Sequence, residues 1–356
     1  MVIAQLYKVV LVLAIHVYVF WNVSSVPFKV NKLNVIGSIL GTTMICPVLF
    51  YVRVSNSQPG RILFYSFMLW FTILFIAFMS SFVFQMLELM GLISDKNKPI
   101  LILITTLLLV AYGITNASII RVSHKTIYFK DHPLNSTIRI AHLTDLHFGS
   151  AYRKSFTESI CNKLRELNPD LIAITGDLFD GNIEFEYELI EPFDHLGIPV
   201  YFVTGNHDQL YPKEITKVIE RSKMIRLKDS TAVFNEIQLI GFDNQYPPPN
   251  IYNKMSEITL EPNKLNILLY HAPVFDTDLL SEVNIALHLA GHTHGGQVFP
   301  VNIFLMLISD YVSGLYHSED YVAYIHVSPG LGTTKAQIRI GTSPTISLLT
   351  LSNKQP

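Results

Sequence analysis

At 356 residues the chain is long enough for more than one folded unit, and only 15% of it is charged against the roughly 25% usual in soluble domains, which excludes an ordinary fully soluble protein. The net charge of −2 hides two opposite halves: residues 1–120 carry seven bases and two acids, the rest 19 bases and 26 acids. An acidic second part excludes a general nucleic-acid binder, which needs a basic field. Cys46 and Cys161, with no CxxC spacing, exclude a disulfide framework and a thiolate zinc site.

In chain order, four apolar stretches come first: Val9–Val26, Leu33–Val52, Ile62–Phe84 and Ile100–Ile120. Each is near the ~20 residues that cross a bilayer as a helix, so residues 1–120 are expected to form a helical membrane anchor of about four spans. Ser55–Arg61 and Ser94–Pro99 supply polar breaks, and no small-x-small cleavage site marks the first stretch as a removable leader. Lys8, Arg53, Arg61, Arg121, Lys125 and Lys130 flank one side, and Lys29, Lys32, Lys96 and Lys98 the other. That bias places both chain ends, and residues 121–356, in the cytoplasm. Only His16 is ionisable deep within a stretch, where it reads as packing, so nothing indicates a transport path.

Beyond residue 120 the pattern changes to short apolar runs. Strands are expected at Ile138–Leu143, Leu171–Thr175, Pro199–Thr204, Ile237–Ile240, Asn266–Tyr270, Ala286–Leu289, Tyr321–Val327 and Thr345–Leu351. Helices are expected at Ser155–Leu167, Glu184–Leu196 and Lys213–Lys223. The alternation predicts an α/β sandwich filling residues 121–356.

Five polar motifs each follow an apolar run: Thr144-Asp145-Leu146-His147, Gly176-Asp177, Gly205-Asn206-His207-Asp208, His271-Ala272-Pro273 and Gly291-His292-Thr293-His294-Gly295-Gly296-Gln297. Loops at the carboxyl ends of strands aim side chains into one crevice. Every loop here brings a carboxylate, amide or imidazole, a set that suits Mn²⁺, Fe or Zn²⁺. Asp180 and Asp208 read as supports rather than ligands, and His142, His195, His288 and His326 as packing.

These motifs, in this order, resemble the calcineurin-like metallophosphoesterase family over about residues 125–352. The resemblance implies a four-layer α/β metallophosphoesterase sandwich and a metal-dependent hydrolase of phosphoric esters or pyrophosphates. It also implies two divalent cations, Mn²⁺ foremost. Asp145, His147, Asp177 and His294 would hold the first ion. Asp177 would bridge to a second, completed by Asn206, His271 and His292. His207 would stand beside the substrate as the catalytic acid. The chemistry agrees: two cations neutralise the phosphoryl oxygens and make hydroxide available near neutral pH, and a neighbouring histidine can protonate the leaving oxygen.

The tail, Tyr311–Tyr316 and then Val327-Ser328-Pro329-Gly330-Leu331-Gly332, is similar to a bacterial membrane- or envelope-associated branch that includes UDP-diacylglucosamine pyrophosphatase. That similarity implies the bilayer as a partner, a bacterial cytoplasmic membrane location, and a lipid-linked nucleotide as substrate. The alternatives are a phosphodiesterase for soluble nucleotides or envelope polymers, and a non-catalytic scaffold. The branch usually has arginine where Pro329 stands; Arg339 is the expected replacement toward substrate phosphate. Val298–Ile308 is apolar and follows the last motif directly, so it either packs into the core or forms a lipid-facing lip.

Overall fold

The computed structural model describes residues 2–24, 58–129, 134–149, 151–180, 185–245, 247–261, 263–319, 322–334 and 336–353. The chain divides into two units, one of residues 1–115 and 335–338, the other of residues 116–334 and 339–356.

In the first unit, helices run over Val2–Val23, Gln58–Leu89 and from Lys98, the last ending at Ser118. Val12, Phe67, Met68 and Leu74 pack together, and the His16 ring stacks on Trp70 at 4.8 Å while its Nδ1 donates to Val12 O at 2.8 Å. Among the described residues two helical stretches are long and apolar enough to span a membrane, Tyr65–Leu89 and Lys98–Ser118. At 1.5 Å per residue they reach about 37 and 31 Å, against a hydrocarbon core of about 30 Å. That is fewer than the four expected: Leu11–Val23 is a shorter apolar stretch, and the expected span Leu33–Val52 lies outside the described residues.

The second unit is built on two six-stranded sheets. The first has the order β1 (Arg121–Tyr128), β12 (Thr345–Ser352), β2 (Ile138–Leu143), β3 (Leu171–Thr175), β4 (Val200–Val203), β5 (Ile225–Arg226). The second runs β10 (Gly314–His317), β11 (Tyr324–Val327), β9 (Leu287–Ala290), β8 (Leu265–Leu269), β7 (Ile237–Gly241), β6 (Ser230–Phe234). The central strands are mostly apolar, broken by single polar residues such as His142, Gln238 and Asn266, because both their faces are covered. Ile140, Ala173 and Val203 of the first sheet meet Leu239, Ile267 and Leu289 of the second. The other face of the first sheet packs on helices Lys154–Leu167 and Pro212–Arg221 through Ile160, Leu164, Ile215 and Ile219. The outer face of the second packs on the short helices Ile251–Ser256 and Thr277–Glu282 through Ile251, Met255 and Leu280. Helix, sheet, sheet and helix give the four-layer α/β sandwich.

β2, β3 and β4 are parallel, as are β7, β8, β9 and β11, so their carboxyl ends lie on one side of each sheet. The expected helix at Glu184–Leu196 is instead two 3₁₀ turns, Tyr187–Leu189 and Glu191–His195, with Pro192 supplying no N–H to continue an α-helix; residue 184 lies outside the described residues. Val301–Ile308, one of whose readings was core packing, is an eight-residue helix with every residue at least partly exposed.

Candidate metal centre

Each polar motif sits where a buried strand ends. β2 stops at Leu143 and the chain turns sharply, so that the Asp145 N–H donates to Gly176 O and the His147 N–H to Asp177 O, both at 3.0 Å. Asp145, His147, Asp177, His292 and His294 all have φ between 49° and 73°, the left-handed region that side chains beyond Cβ rarely enter. Such conformations cost about 1–3 kcal/mol each and persist where the surrounding structure imposes them. Close approach of the loops requires glycine at two points: a Cβ on Gly205 would overlap the Asp177 carboxylate, and one on Gly291 would overlap Asp145 and Thr144.

The result is two donor groups meeting at Asp177. On one side, His147 Nε2 and His294 Nε2 lie 3.0 Å apart, with Asp145 Oδ1 3.3 Å from His294 Nε2 and Asp177 Oδ2 3.7 Å from His147 Nε2. On the other, Asn206 Oδ1 lies 2.9 Å from His292 Nδ1 and 3.2 Å from His271 Nε2, which is 3.4 Å from Asp177 Oδ2. All seven side chains named from the sequence as ligands are thus brought together, and Asp177 touches both groups.

Supports fix how these atoms point. His271 Nδ1 donates to Thr175 O at 2.8 Å, which turns Nε2 into the cluster. Asp145 Oδ2 accepts from Thr144 Oγ1 at 2.9 Å and from the His292 N–H at 3.0 Å, while its buried Oδ1 has no hydrogen-bond partner among the described residues. Asp208, buried, accepts the backbone N–H groups of Leu178, Phe179 and Gly205 and so ties together the loops after β3 and β4. Burial and the nearby Asp177 push its pKa up to about 6. Asp180 Oδ1 is 3.5 Å from His147 Nδ1. His207 Nδ1 donates to Asp180 O at 2.9 Å and its N–H to Asp177 Oδ1 at 2.9 Å, which holds the partly exposed ring beside the cluster, 4.8 Å from that of His147.

Electrostatics mark the cluster as a cation site. Burial drives the His271 ring toward neutrality, but the Asp177 carboxylate outweighs it and holds the pKa up at about 10. Asp177 itself is pulled below the usual carboxylate range by His271, against the cost of its burial. His294 is pushed down to about 3, chiefly by burial. An unpartnered carboxylate oxygen and lone pairs facing one another at 2.9–3.4 Å are relieved when a cation replaces the proton that joins them. The donors fit divalent metals of the Mn²⁺, Fe and Zn²⁺ kind.

Of the remaining histidines, His142 Nδ1 meets His326 Nδ1 at 2.9 Å and its Nε2 meets Thr175 Oγ1 at 2.7 Å; His288 Nε2 donates to Tyr270 O at 3.1 Å. All three are buried and stand behind the strand ends, and His195 pairs with Glu191 on the surface. Arg339 departs from the expectation that it would reach substrate phosphate. It is buried completely, and its Nη2 donates to the carbonyls of Pro329, Gly330 and Gly332 at 2.8, 3.2 and 2.6 Å. The loop it holds lies directly on Asp145, whose carbonyl accepts the Gly332 N–H at 2.6 Å. Nothing in the sequence signals that role, because the partners are backbone atoms.

Residues 138–296 match the profile of the calcineurin-like phosphoesterases. The chain carries a calcineurin-like phosphoesterase domain. Relatives of this phosphoesterase domain come from distant organisms. A transmembrane protein with a metallophosphoesterase domain from Danio rerio is 30% identical over 279 residues, covering 72% of this chain and 63% of that one. A Caenorhabditis elegans protein named for the same family is 29% identical over 238 residues, covering 61% of this chain and 49% of its own. The chain therefore spans about half to two thirds of the length of these curated relatives. Among solved structures, a 5′-nucleotidase precursor from Thermus thermophilus aligns over 61% of this chain and 54% of that one, with a TM-score of 0.37 at 13% identity, too distant to bear on activity.

Proposed function

We propose that the chain is a membrane-anchored two-metal hydrolase of phosphodiester or pyrophosphate bonds, with residues 1–120 as anchor and 121–356 as the catalytic domain. The observation that carries this reading is the convergence of seven donor side chains from five loops on the two sides of Asp177. Asp145, His147 and His294 would hold one divalent cation, Asn206, His271 and His292 the other, and Asp177 both. When bound, such a pair, Mn²⁺ foremost, supplies charge neutralisation at phosphorus and a water that ionises near neutral pH. The protein's part is orientation: Thr175 and Asp180 fix the imidazoles, and Asp208 fixes the loops that present Asp177 and Asn206. His207, held through Nδ1 by Asp180 O, keeps Nε2 for the leaving oxygen and in its protonated form would release a proton there.

Two helical stretches of spanning length support the anchor, and the flanking lysines and arginines support a cytoplasmic catalytic domain. The resemblance of the motifs at Gly291–Gln297 and Val327–Gly332 to a membrane-associated branch supports a bacterial cytoplasmic membrane and a lipid-linked nucleotide such as UDP-diacylglucosamine. The test is hydrolysis of bis-p-nitrophenyl phosphate and UDP-diacylglucosamine by detergent-purified protein with Mn²⁺. Asp177→Asn is expected to abolish both activities and weaken metal binding. His207→Ala should slow turnover about 10²–10⁴-fold with metal retained. Hydrolysis of the diester alone rejects the lipid-linked substrate, and no metal-dependent hydrolysis of either rejects the enzyme.

A further inference from the structure

Helix Val301–Ile308 contradicts its own composition. Seven of its eight residues are apolar, a pattern found in helices surrounded by protein or lipid, yet every residue is at least partly exposed. Phe304 is 59% exposed, Leu307 75% and Ile308 80%, and Phe299 just before the helix adds another exposed ring. A contiguous apolar surface of this kind marks a contact with a partner or a membrane.

Its place in the domain identifies the partner. The helix begins seven residues after His294, and its first turn is packed against the motif, since a Cβ on Gly296 would collide with the backbone of Asn302. The segment leading into it lies along residues 340–341: the Phe299 N–H donates to Ile340 O and the Ile340 N–H to Gln297 O, both at 2.9 Å. The same short segment receives the end of helix Lys98–Ser118. Asn116 Nδ2 donates to Arg339 O at 3.0 Å and to Thr342 O at 2.7 Å, and Asn116 Oδ1 accepts from Arg121 Nη1 at 2.6 Å. Segment 339–342 therefore holds both Asn116, in the last turn of an apolar helical stretch, and the residues that lead into an exposed apolar helix beside the candidate metal centre.

We propose that Phe299 and helix Val301–Ile308 form a lip that inserts into the bilayer surface where helix Lys98–Ser118 emerges, so that the metal centre acts on phosphoesters of membrane-embedded amphiphiles. The inference rests on the hydrolase reading for its substrate class and on the span reading for its partner. Exposed Phe304, Leu307 and Ile308 gain an apolar medium, and Asn302 at the base faces the motif rather than lipid.

Two measurements on the full chain test it. In proteoliposomes of phosphatidylcholine and phosphatidylglycerol with dibrominated acyl chains, Trp21 and Trp70 are first replaced by phenylalanine. Phe304→Trp is then expected to be quenched at least twofold more than Val233→Trp, an exposed position on β6. Equal quenching overturns the lip, and an unquenched Phe304→Trp together with Leu307→Cys cross-linking between copies assigns the face to a second copy of the chain. The second measurement compares p-nitrophenyl hexadecyl phosphate in the bilayer with bis-p-nitrophenyl phosphate in solution, two diesters sharing a leaving group. The double variant Phe304→Asp, Leu307→Asp should lose at least tenfold on the bilayer substrate and stay within twofold on the soluble one. Equal loss on both overturns the proposal. If unaltered protein cleaves neither diester, the hydrolase reading fails, while quenching still decides the lip.

Discussion

Asp177 and His271, both candidate ligands, form one charged pair, with Asp177 Oδ2 3.4 Å from His271 Nε2. With His271 held near a pKa of about 10, the metal-free centre carries a proton there throughout the neutral range. A cation that binds Nε2 must expel it, so acid opposes loading and alkali favours it. Apparent Mn²⁺ affinity of the chelated protein should rise about tenfold per pH unit between pH 6 and 8 for one displaced proton, read by calorimetric titration. An affinity flat across that range would mean that His271 is neutral in the free protein. The candidate ligands were legible in the sequence because carboxylates and imidazoles follow apolar runs, which is how strands deliver side chains to a crevice. Arg339 was not, because a guanidinium that binds Pro329, Gly330 and Gly332 through their carbonyls leaves no pattern of residue types.

Among the elements, legibility follows burial. β2, β3 and β7 to β9 are covered on both faces, and apolar runs broken only by single polar residues announce them. β1 is the edge of its sheet and mixes exposed Arg121, His124 and Thr126 with half-buried Val122, Ser123 and Lys125, so it reads as a charged segment after a span. The edge strands β6, half-exposed along its length, and β5, two residues long, escape for the same reason. Helix Val301–Ile308 shows composition without context: the sequence reveals that it is apolar, and only the fold reveals that it faces outward. The loop of residues 328–332 yields a further prediction. Arg339→Met removes the donor to three carbonyls and releases the backbone that lies on Asp145. We expect a stability loss of about 3 kcal/mol in thermal unfolding, together with Mn²⁺ binding weakened about 10–100-fold. Unchanged metal affinity alongside reduced stability would limit the arginine to folding.

For the molecule as a whole, the composition step near residue 120 separates a unit of long apolar helices from a layered domain rich in acids. No polar spacer intervenes: helix Lys98–Ser118 ends three residues before β1 begins at Arg121. The full chain is therefore expected to remain in the membrane pellet through alkaline carbonate extraction and to enter solution only with detergent. Release by carbonate alone would remove the anchor. The number of spans was the least legible property, since hydropathy measures apolar length and not whether a stretch forms one straight helix.

β12 lies between β1 and β2, antiparallel to β2 and parallel to β1. The strand that completes the first sheet is thus the last of that sheet to be synthesised, and until residues 345–352 have been made β1 has no neighbour to pair with and β2 lacks one of its two. Synthesis reaches that strand long after the N-terminal apolar helices have been translated, so the sheet behind Asp145 closes only once those helices have been made.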